Sequence, residues 1–141
     1  MALDKDAIEQ ALVDRWVAQV ATPQSLSTQY DNDDTFEPDA DAPYARFQVR
    51  FAGSFRADWG AVLARHRTIG RVAVSLLYPL GTGTAAVMTM VDIVCNAFVN
   101  VQVAGVSLLF ETPFPQEPGP DPALARWRQN VICPFFADEF A

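Results

Sequence analysis

Positive charge is scarce in this chain: ten Lys and Arg residues stand against seventeen Asp and Glu, and a single lysine and a single histidine are present. The formal net charge of −7 argues against a protein that holds nucleic acid by neutralising its phosphates. It is compatible with a protein that DNA merely passes, because an acidic wall repels phosphate. Lys5 lies near the terminus, so Schiff-base and Ser-Lys chemistry lack a candidate. His66 sits between Arg65 and Arg67, and nothing in the sequence brings a serine or cysteine to it. It reads as a solvated loop residue rather than a triad member. Cys95 and Cys133 are far apart and lack CxxC spacing, which argues against a disulfide scaffold or a structural zinc site. Both read as small buried hydrophobes in a reducing compartment.

Long uninterrupted apolar helices are missing too. Val72 to Val91 and Ile93 to Phe110 contain no charge, yet Pro79, Gly81 and Gly83 break the first run, and Asn96, Asn100, Gln102 and Gly105 dilute the second. A spanning helix needs about 20 continuous apolar residues, so a buried strand, helix and strand are read here and no membrane partner is expected. MALDKDAIEQ shows no basic and then apolar opening, so no secretory signal is read.

Half the residues are hydrophobic, and the length suits one domain with a real core, residues 1–141. In DKDAIEQALVDRWVAQV, residues Ile8, Leu12, Trp16 and Val20 recur four apart, which predicts an amphipathic helix opened by Asp4 or Asp6 and ended at Thr22 and Pro23. The acidic stretch QSLSTQYDNDDTFEPDADAPYA has no period and reads as a long surface loop. ARFQVRF (45–51) alternates Phe47, Val49 and Phe51 against Arg46, Gln48 and Arg50, the pattern of a half-buried strand. Residues 52–68 read as a long, partly mobile hairpin arm leading into a second strand, IGRVAVSLLY (69–78). A helix follows from Thr84 to Asn100, with Val87, Val91, Val94 and Phe98 on its apolar stripe and Thr82 or Thr84 as its cap. GVSLLFE (105–111) predicts a third strand, and TPFPQEPGPDPA, five prolines in twelve residues, an extended connector. RWRQNVICPFF (126–136) predicts a fourth strand, whose Pro134 end is expected at a sheet edge. These elements imply an α+β domain: one small, mixed, mostly antiparallel four-stranded sheet, two main helices packed on one face, and long loops.

Two stretches look like ligand motifs. Gly81, Gly83 and Ala86 in YPLGTGTAA spell G-x-G-x-x-A between a strand and a helix. However, Pro79 and Leu80 intervene, the preceding strand has a hairpin partner upstream, and no further βαβ unit follows Glu111. The glycines therefore read as freedom for a tight turn, and no cofactor is expected. DNDDTF (31–36) opens like a calcium loop, but Phe36 replaces the required glycine and Ala42 replaces the bidentate acid, so no metal is expected. Carboxylates are plentiful and none is singled out for acid–base work, so an enzyme is not expected.

YDNDDTFEPDADAPYARFQV, RTIGRVAVSLLYPLGTGTAAVMTMVDIVCNAF, GVSLLF and RQNVICPFFADEF together resemble the tail terminator (tail completion) proteins of long-tailed phages. In that pattern an arginine-glycine strand runs into a proline and a glycine-rich turn before an apolar helix. The last strand closes on a proline-phenylalanine and acidic ending, here Pro134, Phe135, Asp138 and Glu139. The resemblance covers most of the chain, and its motifs are structural rather than catalytic. It implies a hexameric ring on the head-proximal end of the tail tube, which stops polymerisation and meets the head-completion proteins while DNA passes through. It also implies a sheet-and-helix sandwich, a place at the tail–neck junction of the virion, and assembly in the host cytoplasm. The proline-rich stretch 112–123 has no role to carry over. Alternatives are a head–tail connector or other neck protein and, more remotely, a small nucleotide-binding enzyme.

A ring needs one surface patch to bind a different patch on the next copy. Loop 24–42, arm 52–68, the proline connector and the tail 134–141 are the candidate contact segments. Tyr30, Phe36, Trp59, Arg65 and Phe114 are the candidate interface residues, being of the types that dominate binding energy. Carboxylates are expected to line the pore, so that DNA slides without sticking.

Overall fold

A computed structural model describes residues 5–31, 33, 35–56, 65–99 and 108–140. Helix α1 (Lys5–Trp16) continues into a π-helical turn, Val17–Ala21. The four-residue spacing does its work here: Ile8, Leu12, Trp16 and Val20 are all fully buried. Ser25, in the left-handed region at φ 50°, reverses the chain, and the Leu26 amide donates back to Ala21 O at 2.9 Å.

The sheet is larger than the alternating stretches predict. Among the described residues seven strands form it: β1 (Ser27–Tyr30), β2 (Tyr44–Arg56), β3 (Arg65–Pro79), β4 (Leu108–Phe110), β5 (Phe114–Pro115), β6 (Gly119–Asp121) and β7 (Arg126–Phe140). The order is β1-β2-β3-β7-β4, with β5 and β6 also paired to β7. The four-stranded expectation is therefore wrong, although the α+β class holds. Three short strands account for most of the difference. β1 lies inside the stretch expected as loop and pairs in parallel with β2, Ser27 opposite Tyr44. β5 and β6 lie inside the proline connector, opposite Ile132–Val131 and Arg128–Arg126 of β7.

The long strands also outrun their predicted ends. Arg56 pairs with His66, and Arg65 with Phe140, so the segments flanking 57–64 are ordered strand rather than loose arm. Residues 57–64 themselves, and residues 105–107 of the expected third strand, lie outside the described set. On one side of this extension the Arg67 guanidinium donates twice to Asp138, at 2.8 and 3.0 Å, and lies over the Phe136 ring.

Pro134 is not at an edge. β7 lies between β3 and β4, and Pro134 pairs with Arg71. Its carbonyl accepts the Glu111 amide at 3.0 Å. Amide and carbonyl of one strand residue point the same way, so the missing N–H faces the spot just past the end of β4. No ladder bond to β3 is lost.

Helix α2 (Ala85–Phe98) buries Val87, Val91, Val94 and Phe98 as its spacing predicts. Thr84 occupies its N-cap position, but its side chain makes no capping bond. Both helices pack on one sheet face: the Phe47 ring lies 5.2 Å from Trp16 and 6.3 Å from Phe98. Phe98, Phe110, Phe135 and Phe51 continue this row of aromatic contacts. Each such buried ring contributes about 1.5–3 kcal/mol by leaving water. Arg15 Nε donates to Ala97 O at 3.0 Å, tying α1 to the end of α2. No helix among the described residues is long and apolar enough to cross a membrane.

Gly70 is where the aromatic row meets the backbone. A Cβ there would lie 2.5 Å from the Phe135 ring and 2.9 Å from the Arg50 carbonyl. The ring could swing; the carbonyl belongs to the β2–β3 ladder and cannot. Gly70→Ala should therefore destabilise the fold by about 1–3 kcal/mol, as overpacking does. Urea denaturation followed by tryptophan fluorescence measures it, and an unchanged midpoint would contradict this packing.

Candidate functional site

Both helices lie on one face, and no helix among the described residues lies on the other face of the sheet. Alternation sends Tyr44, Arg46, Gln48 and Arg50 of β2 to that side, and register sets them against Leu77, Ser75, Ala73 and Arg71 of β3. Asn130, Ile132 and Pro134 follow on β7.

At the Tyr44 end this face is covered by the acidic segment, which is anchored rather than free. Arg126 is 6% exposed, and its guanidinium donates to the carbonyls of Asp39 and Ala42. The same group lies 4.8 Å from the Tyr44 ring, and Phe36 packs on the other contact of that ring at 5.3 Å. Tyr44 and Leu77 are buried as a result. Asp39 and Asp33 stabilise local turns, accepting the backbone amides of Asp41 and Thr35. Asp31 takes two bonds from Arg50, at 2.6 and 3.3 Å, and holds that guanidinium above its ordinary pKa. The carboxylates of the calcium-like stretch that are described are thus engaged by the chain itself.

At the other end no loop among the described residues covers the face. A groove of about 490 Å³ runs over Arg50, Ile69, Arg71, Phe114, Ile132 and Pro134. Phe114 stands 46% exposed at its rim.

The residues singled out in sequence scatter over this landscape. Phe114 lines the groove; Phe36 belongs to the covered end, half-buried against Tyr44. Tyr30 lies in β1 rather than a loop, edge-on to Phe47 at 6.2 Å, and burial raises its pKa despite an opposing bond with Thr28. Of Arg65 only the backbone is described, opposite Phe140, and Trp59 lies outside the described residues. Arg71 and Arg126 were not among those candidates. Arg71 is flanked at two residues' distance by Ile69 and Ala73 and carries no local signal, and Arg126 is chosen by partners 84 and 87 residues away.

The glycine turn is a turn. Gly81 and Gly83 adopt φ 87° and 85°, and Thr82 bonds Pro79 O through both its amide and its hydroxyl. The strand before it, β3, has antiparallel neighbours on both sides, whereas a dinucleotide fold needs a parallel strand there. Cys133 is buried, and burial first, then the nearby Cys95, pushes its thiol up to about 12. Such a thiol is a packing group, not a nucleophile.

A family model described as phage tail terminator protein matches residues 6–127. One solved structure shares 17% identity, with 99% of each chain covered and a TM-score of 0.69, which is a likeness of fold. No curated protein matches the chain.

Arg126 is the anchor of the covered end. Arg126→Ala should lower stability by about 2 kcal/mol, the scale of charged hydrogen bonds lost with buried acceptors left bare. It should also open residues 36–43 to limited proteolysis, mapped by mass spectrometry. Protection equal to wild type would refute the anchoring role.

Proposed function

The chain belongs to the phage tail terminator protein family and is a structural component of the phage tail; from that premise we propose that six copies form a ring capping the tail tube. In this reading residues 1–141 act as one tail-terminator-like unit. One rim of the ring docks on the last tube subunits and ends their polymerisation. The other rim receives the head-completion or connector proteins, and DNA passes through the lumen without specific binding. The ring sits at the tail–neck junction and assembles in the host cytoplasm. No catalytic step is required of it.

The observation that carries the proposal is the family match, which spans both helices and the long β2–β3 pair. The fold is suited to it physically. An exposed sheet face and an anchored acidic loop give each copy two unlike patches, the requirement for a closed ring. The net charge of −7 supports a lumen that repels phosphate. Tyr30, Phe36, Trp59, Arg65 and Phe114 remain the proposed contact residues, with Phe114 the most open of those described.

Electron microscopy of the purified protein, alone and with tail tubes, tests this. Six-fold rings, found at one end of each tube, are the expected result; particles without rotational symmetry that also leave tubes growing would exclude it. Rings should also fail to retain duplex DNA at low salt, where phosphate attraction is strongest. Tight retention in a gel-shift assay would contradict the acidic lumen.

A further inference from the structure

On the reading that copies assemble side by side, we infer that the bare groove at Arg71 binds the anchored acidic loop, residues 37–41, of a neighbouring copy. Arg71 and Arg50 face each other across the β2–β3 pair, a placement that costs stability unless their charge is compensated. Asp31 compensates Arg50. Arg71 is exposed, and no hydrogen bond or ion pair among the described residues engages it. Beside it lie the apolar floor of Ile69 and Ile132 and the open ring of Phe114. The site thus calls for a segment carrying carboxylate together with small apolar groups.

The chain itself supplies one. Glu37, Pro38, Asp39, Ala40 and Asp41 are all exposed, and none of the three carboxylates is ion-paired among the described residues. The loop is pre-organised, since Arg126 holds the carbonyls of Asp39 and Ala42 and Asp39 caps the Asp41 amide. Little ordering entropy is lost when such a loop docks. It cannot reach the groove of its own chain. Tyr44 and Arg50 bracket six steps of β2, about 20 Å at the rise of a strand, and Arg126 fixes the loop at the far end. Loop and groove are unlike patches present once per copy, so their pairing propagates from copy to copy and gives a ring where the rotation between copies closes.

Charge reversal with the full-length chain tests this by sedimentation velocity. Arg71→Glu should weaken self-association at least tenfold, and so should Glu37→Arg combined with Asp41→Arg. An equimolar mixture of the two variants should restore assembly, because each groove then meets a loop of opposite charge. All three positions are exposed, so folding should be unchanged by circular dichroism; Arg71→Ala and Phe114→Ser provide milder losses in the same direction. Rings formed equally by wild type and Arg71→Glu would overturn the groove–loop contact and leave the ring standing. Dimers in place of rings, lost in the single-charge variants and restored by mixing, would uphold the contact and overturn the ring. A wild-type chain that stays monomeric at every concentration would overturn both.

Discussion

A sheet that buries only one face must find some use for the other, and this constraint shapes the whole molecule. Phe47 is its pivot. The ring meets Trp16 of α1 and Phe98 of α2, so both helices are drawn to the same side, and Arg15 locks them together there. Among the described residues, the opposite face receives no helix. At one end it is closed by a loop that lacks hydrophobic mass of its own, and a buried arginine does the closing. Arg126 substitutes carbonyl dipoles and a tyrosine ring for water, which satisfies the guanidinium without a carboxylate. At the other end the face stays open, with Arg71 and Phe114 presented to solvent.

The sheet's margins are managed differently from its faces. β1, at one margin, is only four residues long, and past Phe47 no described strand pairs with the outer edge of β2. Along the other, β4, β5 and β6 follow one another down the side of β7 as short pieces separated by prolines. Prolines remove donors that an added strand would need, and short strands offer no long template. The proline connector thus gains a physical role that its composition alone did not suggest. It covers the flank of β7 while denying that flank to edge-to-edge pairing.

Much of this was legible from residue spacing. Four-residue recurrence located α1, and the stripe Val87, Val91, Val94, Phe98 located α2. Alternation located the middles of β2, β3 and β7. What escaped has identifiable causes. Ser-Thr-Gln-Tyr carries no apolar alternation because β1 lies at the margin, where its side chains are exposed or only half-buried. β5 and β6 are defined wholly by pairing with β7, a partner distant in sequence, and proline content masked them. Pro134 misled because the rule against proline in central strands concerns the donor side; here that side falls where β4 has already ended. The open groove could not be read at all, since it exists only because three strands in register bring Arg50, Arg71 and Pro134 into line.

These features bear on termination as a physical problem. A subunit that ends a polymer must bind the growing end yet offer nothing equivalent in return. Long unpaired strand edges would work against this, because any edge that accepts a strand presents another edge beyond it. Along the flank of β7 the proline-broken margin removes that route. The proposed contacts through a charged groove and a pre-organised loop behave otherwise: each copy has one of each, and in a closed ring every groove would be filled. In the proposed ring, closure consumes the groove and the loop of every copy. The rims, which take no part in these lateral contacts of the proposed ring, are free to differ from the tube.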